Sequence, residues 1–477
     1  MNRMELLVTV GLPVVLALAG GVAIAFWVRA STPLGDIQAR VPTAEPQTPA
    51  VAQPEVTPAA PTGPAGAPAT VAAAPAAGTV STGAVASSVP GLWPWFRGPN
   101  RDNISTENVR LARSWPPGGP RVVWSRDLGE GYTAPAIRNG RMYILDWDNS
   151  QDVLRCMSFA DGKDIWTYAY SDPIKRNHGM SRTVPAVTDK YVVTFGPSCA
   201  VVCADAGTGK VLWQMDLVKQ YGAKVPDWYA GQCPLIDGDR VILAPCGRVL
   251  MIAVDLASGK VLWETPNSTG WVQSHASICM ADLGGKHQYI YVAHGGVASV
   301  DAGSGQILWK TGEWRVSTAT IPTAMSIGDG RVFLTGGYNA GSMMIKVSGN
   351  SVQTLYRTNA ATFSSKQQTP ILSGGYLYGV LESGELVCMD LSGKVQWKSG
   401  PTQRFGLGPF VMAPGGLMYL LNDTGTLTLA EVSPSAYKPL ATAKVLSGSE
   451  AWGPLALTAG KLIARDLTKM VCLEVGG

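Results

Sequence analysis

Between Tyr132 and Gly477 one unit of about 45 residues recurs eight times, and a tandem repeat of that length leaves few folds open. Its clearest tag is an Asp, a turn of small residues, a Gly and then a Trp. The tag reads D-A-G-T-G-K-V-L-W from Asp205 to Trp213, D-L-A-S-G-K-V-L-W from Asp255 to Trp263 and D-A-G-S-G-Q-I-L-W from Asp301 to Trp309. Shorter copies end at Trp166 and Trp397. A second landmark opens an apolar run in each unit: Pro135, Pro185, Pro234, Ser277, Pro322, Pro370, Pro409 and Pro454, 39 to 50 residues apart. Short runs of Val, Ile, Leu and Tyr, broken by Gly, Asn and Asp, leave room for four strands per unit. Beyond the N-terminus no segment keeps a helical period. Four-stranded antiparallel units in tandem predict an all-β fold, an eight-bladed β-propeller with one sheet per blade.

The chain ends support that count. The last unit, from Glu450, has three strands and then the chain stops, whereas an orphan strand at 121–128 precedes the first unit and carries Trp124. Joining the orphan to the incomplete unit closes the ring and removes two raw sheet edges. In the tag, Asp and Gly shape a tight turn between the third and fourth strands, and the Trp is expected to pack on the neighbouring blade. Units five and seven lack the Trp. Four of the eight cysteines, Cys156, Cys203, Cys388 and Cys472, occupy one repeat-equivalent position that is Ala253 and Ser299 in units three and four. That position wants a small buried side chain, which free Cys supplies. Cys233 and Cys246 are placed to face each other across adjacent strands, and an oxidising compartment would permit a bridge. No C-x-x-C haem or zinc pair occurs.

The tags resemble the pyrroloquinoline-quinone-like (PQQ-like) repeats shared by quinoprotein dehydrogenases and the β-propeller lipoprotein of the outer-membrane barrel-assembly machinery. More narrowly, W-P-W-F-R-G-P-N-R at 93–101 resembles the opening of a group of bacterial PQQ-like propellers without assigned activity. H-G-M-S-R-T-V-P at 178–185, W-Y-A-G-Q-C-P at 228–234, G-G-Y-N-A-G-S-M-M at 336–344 and F-S-S-K-Q-Q-T-P at 363–370 match that group too. The likeness runs from Trp93 to the end. It identifies a fold strongly and a function weakly.

The first ninety residues are of another kind. Residues 6–28 carry no charge and are long enough to span a bilayer, which takes about 20 residues. Residues 1–30 therefore read as an uncleaved signal anchor, the alternative being a long signal peptide cut near Ala30. Residues 31–90, rich in Pro, Ala, Thr and Val, cannot bury enough apolar surface to fold and read as a tether about 40–45 Å in mean reach. Residues 91–477 are the propeller, held outside the cytoplasm. Net charge is only +4 and there are no Lys/Arg-rich runs, which gives no case for nucleic acid.

In a propeller the residues before each inner strand converge at one mouth. Here they include His178, Arg182, Thr183, Trp228, Tyr229, Gln232, His275, Lys366, Gln367, Gln368, Arg404 and Trp452, with few acids nearby. The entering loops from Trp166 to Pro185 and from Trp213 to Pro234 are the longest of their kind, spanning 19 and 21 positions. Taken singly, these residues have plainer readings as loop charges, inter-blade packing or groups around a water-filled channel. Together they predict a polar, basic site for a protein partner or an anionic small molecule.

Two functions compete. One is a membrane-tethered binding or scaffolding propeller without catalysis, in line with the resemblance to the barrel-assembly adaptor. The other, implied by the quinoprotein resemblance, is a PQQ-dependent oxidoreductase. Such enzymes add an adjacent Cys-Cys disulfide, a calcium site and an Asp base; here no two cysteines adjoin and the mouth segments hold mostly cations. A hydrolase built on His178 and a serine lacks an orienting acid in the sequence. No catalytic or metal-ligating residue is therefore expected, and PQQ is disfavoured.

Overall fold

The third strand of each repeat is apolar on both faces and the fourth alternates, which places one inside a sheet and the other at its rim. In the third repeat Val249–Asp255 is buried almost throughout, whereas Val261–Pro266 alternates between exposed and covered positions. The computed structural model, which describes residues 79–172 and 178–477, folds every repeat this way. Seven four-stranded antiparallel sheets and one enlarged sheet form eight blades, and the blades close into a β-propeller. Blade 3, for example, runs outward from Leu235–Asp237 through Arg240–Leu243 and Val249–Asp255 to Val261–Pro266. The ring closes where expected. Val122–Asp127 pairs antiparallel with Lys469–Glu474 and completes blade 8.

The Asp–Gly–Trp tag works as a latch between blades. Asp205 accepts from the Thr208 amide and hydroxyl at 2.7 Å each, and Gly209 takes φ +73° to close the turn. A Cβ on Gly209 would lie 2.5 Å from the Trp166 ring of the preceding blade, so only glycine lets that indole seat. The same contact joins Gly259 to Trp213 and Gly305 to Trp263. Each indole then donates to a carbonyl of the next blade: Trp166 to Ala206 at 3.3 Å, Trp213 to Leu256 at 2.9 Å and Trp263 to Ala302 at 3.2 Å. The small position lies directly opposite the Trp in register, as Cys156 does to Trp166, Cys203 to Trp213 and Ala253 to Trp263. In blade 5 Tyr356 takes the Trp position and meets Gly393 of blade 6.

All eight cysteines are free. Cys233 Sγ accepts from the Val184 amide at 3.2 Å and Cys246 Sγ donates to the Leu250 carbonyl at 3.6 Å, so the two thiols address different partners. One five-residue helix, Leu217–Tyr221, interrupts the long loop into blade 3, capped by Asp216 and by Gly222 in the left-handed conformation. The apolar period that normally announces a helix is too short to read there. Residues 1–30 and 31–78, including the expected anchor at 6–28, lie outside the described residues. Among the described residues no helix is long and apolar enough to cross a membrane.

The expected tether is ordered before its end at 90. Thr79–Ser81 adds an outermost strand to blade 1, and the Ser87 amide donates to the Gly140 carbonyl at 3.0 Å. An unpaired edge on blade 1 gives this low-complexity sequence backbone partners that it does not need side chains to find.

Two expectations follow. In urea titrations Trp213→Ala and Gly259→Ala should each destabilise, the first by about 3–5 kcal/mol. The double variant should be more stable than the sum by about 1 kcal/mol or more, because the added methyl then enters the space the indole left. A strictly additive pair would break the latch argument. Deleting 122–127 should yield oligomers in light scattering, since it uncovers the edge of Lys469–Glu474 and removes Trp124 from Gly162 of blade 1; a monomer with the parent's melting temperature would contradict closure by this strand.

Candidate functional site

The segments that enter the inner strands are tied to one another around one mouth of the channel. Tyr132 and Ser181 pair between blades 1 and 2, and Thr133 Oγ1 donates to the Thr183 carbonyl. The Cys233 amide donates to Ser277 Oγ at 3.0 Å, the His275 amide to the Thr320 carbonyl at 3.0 Å, and the Thr323 amide to Thr369 Oγ1 at 2.9 Å. Gln368 Nε2 reaches the Trp452 carbonyl at 3.3 Å. These bonds absorb polar groups of seven of the eight loops and leave a few side chains facing inward.

Those side chains enclose a cavity of about 100 Å³ lined by Tyr132, Arg182, His275, Gln367, Gln368 and Trp452, with Phe96 in its wall. Trp452 stacks on Tyr132 with ring centroids 5.3 Å apart, and the Arg182 guanidinium lies 4.8 Å from the Tyr132 ring. Tyr132 donates to Glu450, and the Trp452 indole donates to Asp423 at 2.9 Å, so the neighbouring carboxylates are engaged with other donors. Arg182 is left with Nε and Nη2 buried and without a hydrogen-bond partner among the described residues, as is His275 Nε2. Burial lowers the Arg182 pKa to about 10, partly opposed by Tyr132, Tyr229 and Glu450. It lowers His275 to about 4, with help from the positive charge of Arg182 and from His294, and so keeps the imidazole neutral at ordinary pH. Orphaned donors around a small polar hollow are what an acceptor-rich group would satisfy.

The other expected residues divide. His178 packs edge-on to Trp228 at 6.4 Å, and Trp228 lies 6.2 Å from His275, which extends the mouth as an aromatic shelf. A second hollow of about 240 Å³ adjoins it, lined by Trp228, His275 and His294 and edged by Lys224. Tyr229 is fully buried, beside Arg182. Thr183 and Gln232 serve the blades instead: Thr183 Oγ1 donates to the Phe195 carbonyl, and Gln232 brackets both backbone groups of Ala244. Lys366 places its ammonium 4.9 Å from the Tyr338 ring, over a minor hollow that Gln367 and Gln368 also line. Arg404 is exposed and does not line the channel cavity; its backbone bridges to Glu385, and the buried Phe405 lies between it and the inner strand. Position before a landmark Pro brings a backbone to the mouth but does not aim its side chain.

The W-P-W-F-R-G-P-N-R segment has a place that its sequence does not disclose. It crosses the channel as a plug. Leu92–Trp93 pairs with Ala136–Arg138 of blade 1, and the Pro94 carbonyl accepts from Val187 of blade 2 at 2.9 Å. Arg101 donates to the Ile236 carbonyl of blade 3 at 2.6 Å, and Arg97 to the Pro370 carbonyl before blade 6 at 2.6 Å. Asn103 exchanges bonds with blade 7, and the Leu92 amide reaches Thr458 of blade 8 at 2.6 Å. Arg97, Arg101 and Asn103 all adopt φ near +60° to +67°, backbone that costs a non-glycine residue about 1–2 kcal/mol each and persists only where its surroundings over-determine it.

Among the described residues no group of three or more His, Cys, Asp and Glu side chains could hold a metal ion. A quinone with its calcium does not fit this mouth. Glu450 and Asp423 are spent on Tyr132 and Trp452, and about 100 Å³ is below the ~300–1,000 Å³ of pockets that enclose a whole ligand.

Fold and mouth define a PQQ-like repeat propeller whose channel is plugged at one end. The chain belongs to the family described as outer membrane protein assembly factor BamB, whose model matches residues 152–399. Two proteins named outer membrane protein assembly factor BamB, from Moranella endobia and Shewanella oneidensis, are 21% and 23% identical to it over 320 and 322 residues. Each alignment covers 64% of this chain, and 67% and 66% of the relatives' own length. Among solved structures, BamB from Moraxella catarrhalis superposes with a TM-score of 0.54 at 14% identity, covering 74% of this chain and 99% of that one. The computationally designed Ika8 protein superposes at 0.50 and 12% over the same shares. At such identities these structures establish the fold alone.

Titration tests the mouth. Folded His275 takes its proton near pH 4 whereas an unfolded one takes it near 6.5, so its contribution to stability is lost as pH falls from 6.5 to 4. Urea midpoints should therefore drop more between pH 7 and pH 4.5 in the parent than in His275→Gln. Parallel losses in the two proteins would mean that His275 is not held neutral.

Proposed function

We propose that this protein is a non-catalytic scaffold in outer-membrane protein assembly, tethered outside the cytoplasm through residues 1–30. On this reading its polar mouth holds an acidic segment of a partner protein. The family and its relatives' names support the scaffold. The observation that carries the mouth is Arg182: a largely buried guanidinium, braced on Tyr132, with two nitrogens unpartnered and the nearby carboxylates otherwise engaged. A cavity of about 100 Å³ suits one carboxylate side chain better than a whole metabolite. The adjoining shelf of His178, Trp228 and His275 offers the flat aromatic surface on which the rest of a segment would lie. The role assigned here needs no nucleophile, metal or redox group.

The test is crosslinking in the native membrane. A photoreactive residue at Gln367 should give a protein adduct that Arg182→Gln reduces at least tenfold, as loss of a charge-assisted hydrogen bond implies, while the melting temperature stays within a few degrees. The same residue at Leu262, exposed on the outer rim, should give no such adduct. An adduct at Gln367 indifferent to Arg182, or one confined to Leu262, would sink the mouth as the docking site.

A further inference from the structure

The plug bonds to six of the eight blades, and the exceptions are neighbours. Its hydrogen bonds among the described residues reach blades 1, 2, 3, 6, 7 and 8. The inner strands of blades 4 and 5, Cys279–Leu283 and Met325–Gly328, receive none. A cavity of about 320 Å³ lies there, between the plug and the inner strands, with exposed Asn100 at its edge. It is the roomier of the two channel cavities and stands on the plug side of Phe96, away from the mouth already described.

Two arginines of the plug stand in its wall. Arg97 is 8% exposed; Nη2 donates to the carbonyls of Pro370 and Asp102, and Nε has no partner. Arg101 lies 4.6 Å from the Trp95 ring and donates to the Ile236 carbonyl. Neither forms an ion pair with a carboxylate among the described residues, and burial lowers the pKa of both, Arg97 to about 10. Burial raises the pKa of the Cys279 thiol in the same wall, and the Ser326 backbone and both arginines oppose that rise. A second orphan belongs to the same lining: Thr323, before the inner strand of blade 5, is 7% exposed and its hydroxyl has no hydrogen-bond partner among the described residues. The remaining lining is largely apolar, with Ile278, Met325 and Leu372 prominent.

Charge narrows the occupant. Within the wall two guanidiniums stand with a single carboxylate, Asp102, while Asp237, engaged with His287 and Tyr289, acts on Arg101 from outside it; the site therefore takes at most a monoanion, which a phosphate dianion exceeds. The apolar walls call for an apolar body behind the charged head, and the volume falls within the range of small-molecule sites. We propose that this cavity binds a small organic carboxylate, its head held by Arg97, Arg101 and Thr323 and its body packed on blades 4 and 5. Such a ligand would complete the plug's bonding on the two blades it otherwise leaves unbonded.

Cys279 supplies the readout, since it is half-buried whereas the other seven cysteines are buried. Full-length protein in detergent is alkylated with iodoacetamide, and modification at Cys279 is followed by peptide mass spectrometry. Benzoate should slow that reaction several-fold, and inorganic phosphate or benzyl alcohol at equal concentration should do so far less. Arg101→Gln and the nearly isosteric Thr323→Val should each weaken protection about tenfold, as expected for a lost bond to a charged group. Arg182→Gln should leave it unchanged. Arg97→Gln is avoided because Arg97 also pins the plug to Pro370. Equal protection by benzyl alcohol would make the cavity a plain apolar hollow, and equal protection by phosphate would remove the carboxylate preference. Either result overturns the assignment. If Cys279 resists alkylation even without ligand, calorimetry with benzoate decides: heat of binding that Arg101→Gln abolishes supports the site, and its absence in the parent overturns it.

Discussion

The contact of an indole on a glycine organises this molecule. A four-stranded blade cannot bury both its faces alone, so each repeat is stable only against its neighbours. Trp166 on Gly209, Trp213 on Gly259 and Trp263 on Gly305 bring consecutive sheets together where a Cβ would hold them apart. The hydrogen bond from each indole to the next blade's turn fixes the rotation of the ring as well as its depth. Each buried indole removes on the order of 200 Å² from water, worth several kcal/mol per interface before conformational entropy is counted. The small residue opposite each Trp follows from the same fit, since a larger one at Cys203 or Ala253 would displace the ring. Trp309 shows what happens without the partner glycine: its indole turns to Gln288 of its own blade.

A ring of eight identical-looking sheets leaves a channel, and inner-strand edges facing a channel carry unpaired backbone groups. The segment at 93–105 meets that demand in this chain. It folds on itself first, with the Trp93 ring against Gly98 and the Trp95 indole donating to the Pro99 carbonyl at 3.0 Å. It then spends amides, carbonyls and the long arms of Arg97 and Arg101 on blade edges around the ring. Three left-handed residues within seven positions are tolerated because contacts with six blades hold them. The plug thereby turns an open tube into a cup on the mouth side and a separate hollow on its own side, with Phe96 standing in the wall of both.

The repeat made the fold legible. Blade number, strand order, closure by Val122–Asp127 and the free, buried state of Cys156, Cys203, Cys388 and Cys472 all follow from periodicity. Features belonging to one repeat were harder to see. Arg182, His275, Gln367, Gln368 and Trp452 precede inner strands and line the mouth cavity; Thr183, Gln232 and Arg404 share that address and do not. Whether a loop residue faces the channel depends on neighbours such as Phe405, and no spacing rule encodes them. The plug escaped for a different reason. Its residues stand outside the repeat, and its partners lie up to 366 positions away along the chain. Its composition, two Trp, two Arg and a Gly in nine residues, was the available signal: too apolar and too rigid for a linker.

The same asymmetry bears on function. Repeat residues are fixed by the latch and have little freedom to acquire chemistry, so specificity must enter through what departs from the repeat. The departures here are cationic and aromatic and cluster along the channel axis: Arg182 with Tyr132, Trp228 and Trp452 on one side of Phe96, Arg97 and Arg101 with Trp95 on the other. In a chain of net charge only +4, unpaired buried guanidiniums on that axis are a concentrated expense of desolvation. Arg97 and Arg101 recover part of that cost by tying the plug to Pro370 and Ile236, whereas Nε and Nη2 of Arg182 have no hydrogen-bond partner among the described residues. On the two proposals above, what they would hold are carboxylates brought from outside, one by a partner at the mouth and one by a ligand beneath the plug. Because Phe96, Cys233 and Ser277 line both hollows, any change in how the plug packs must alter the two together.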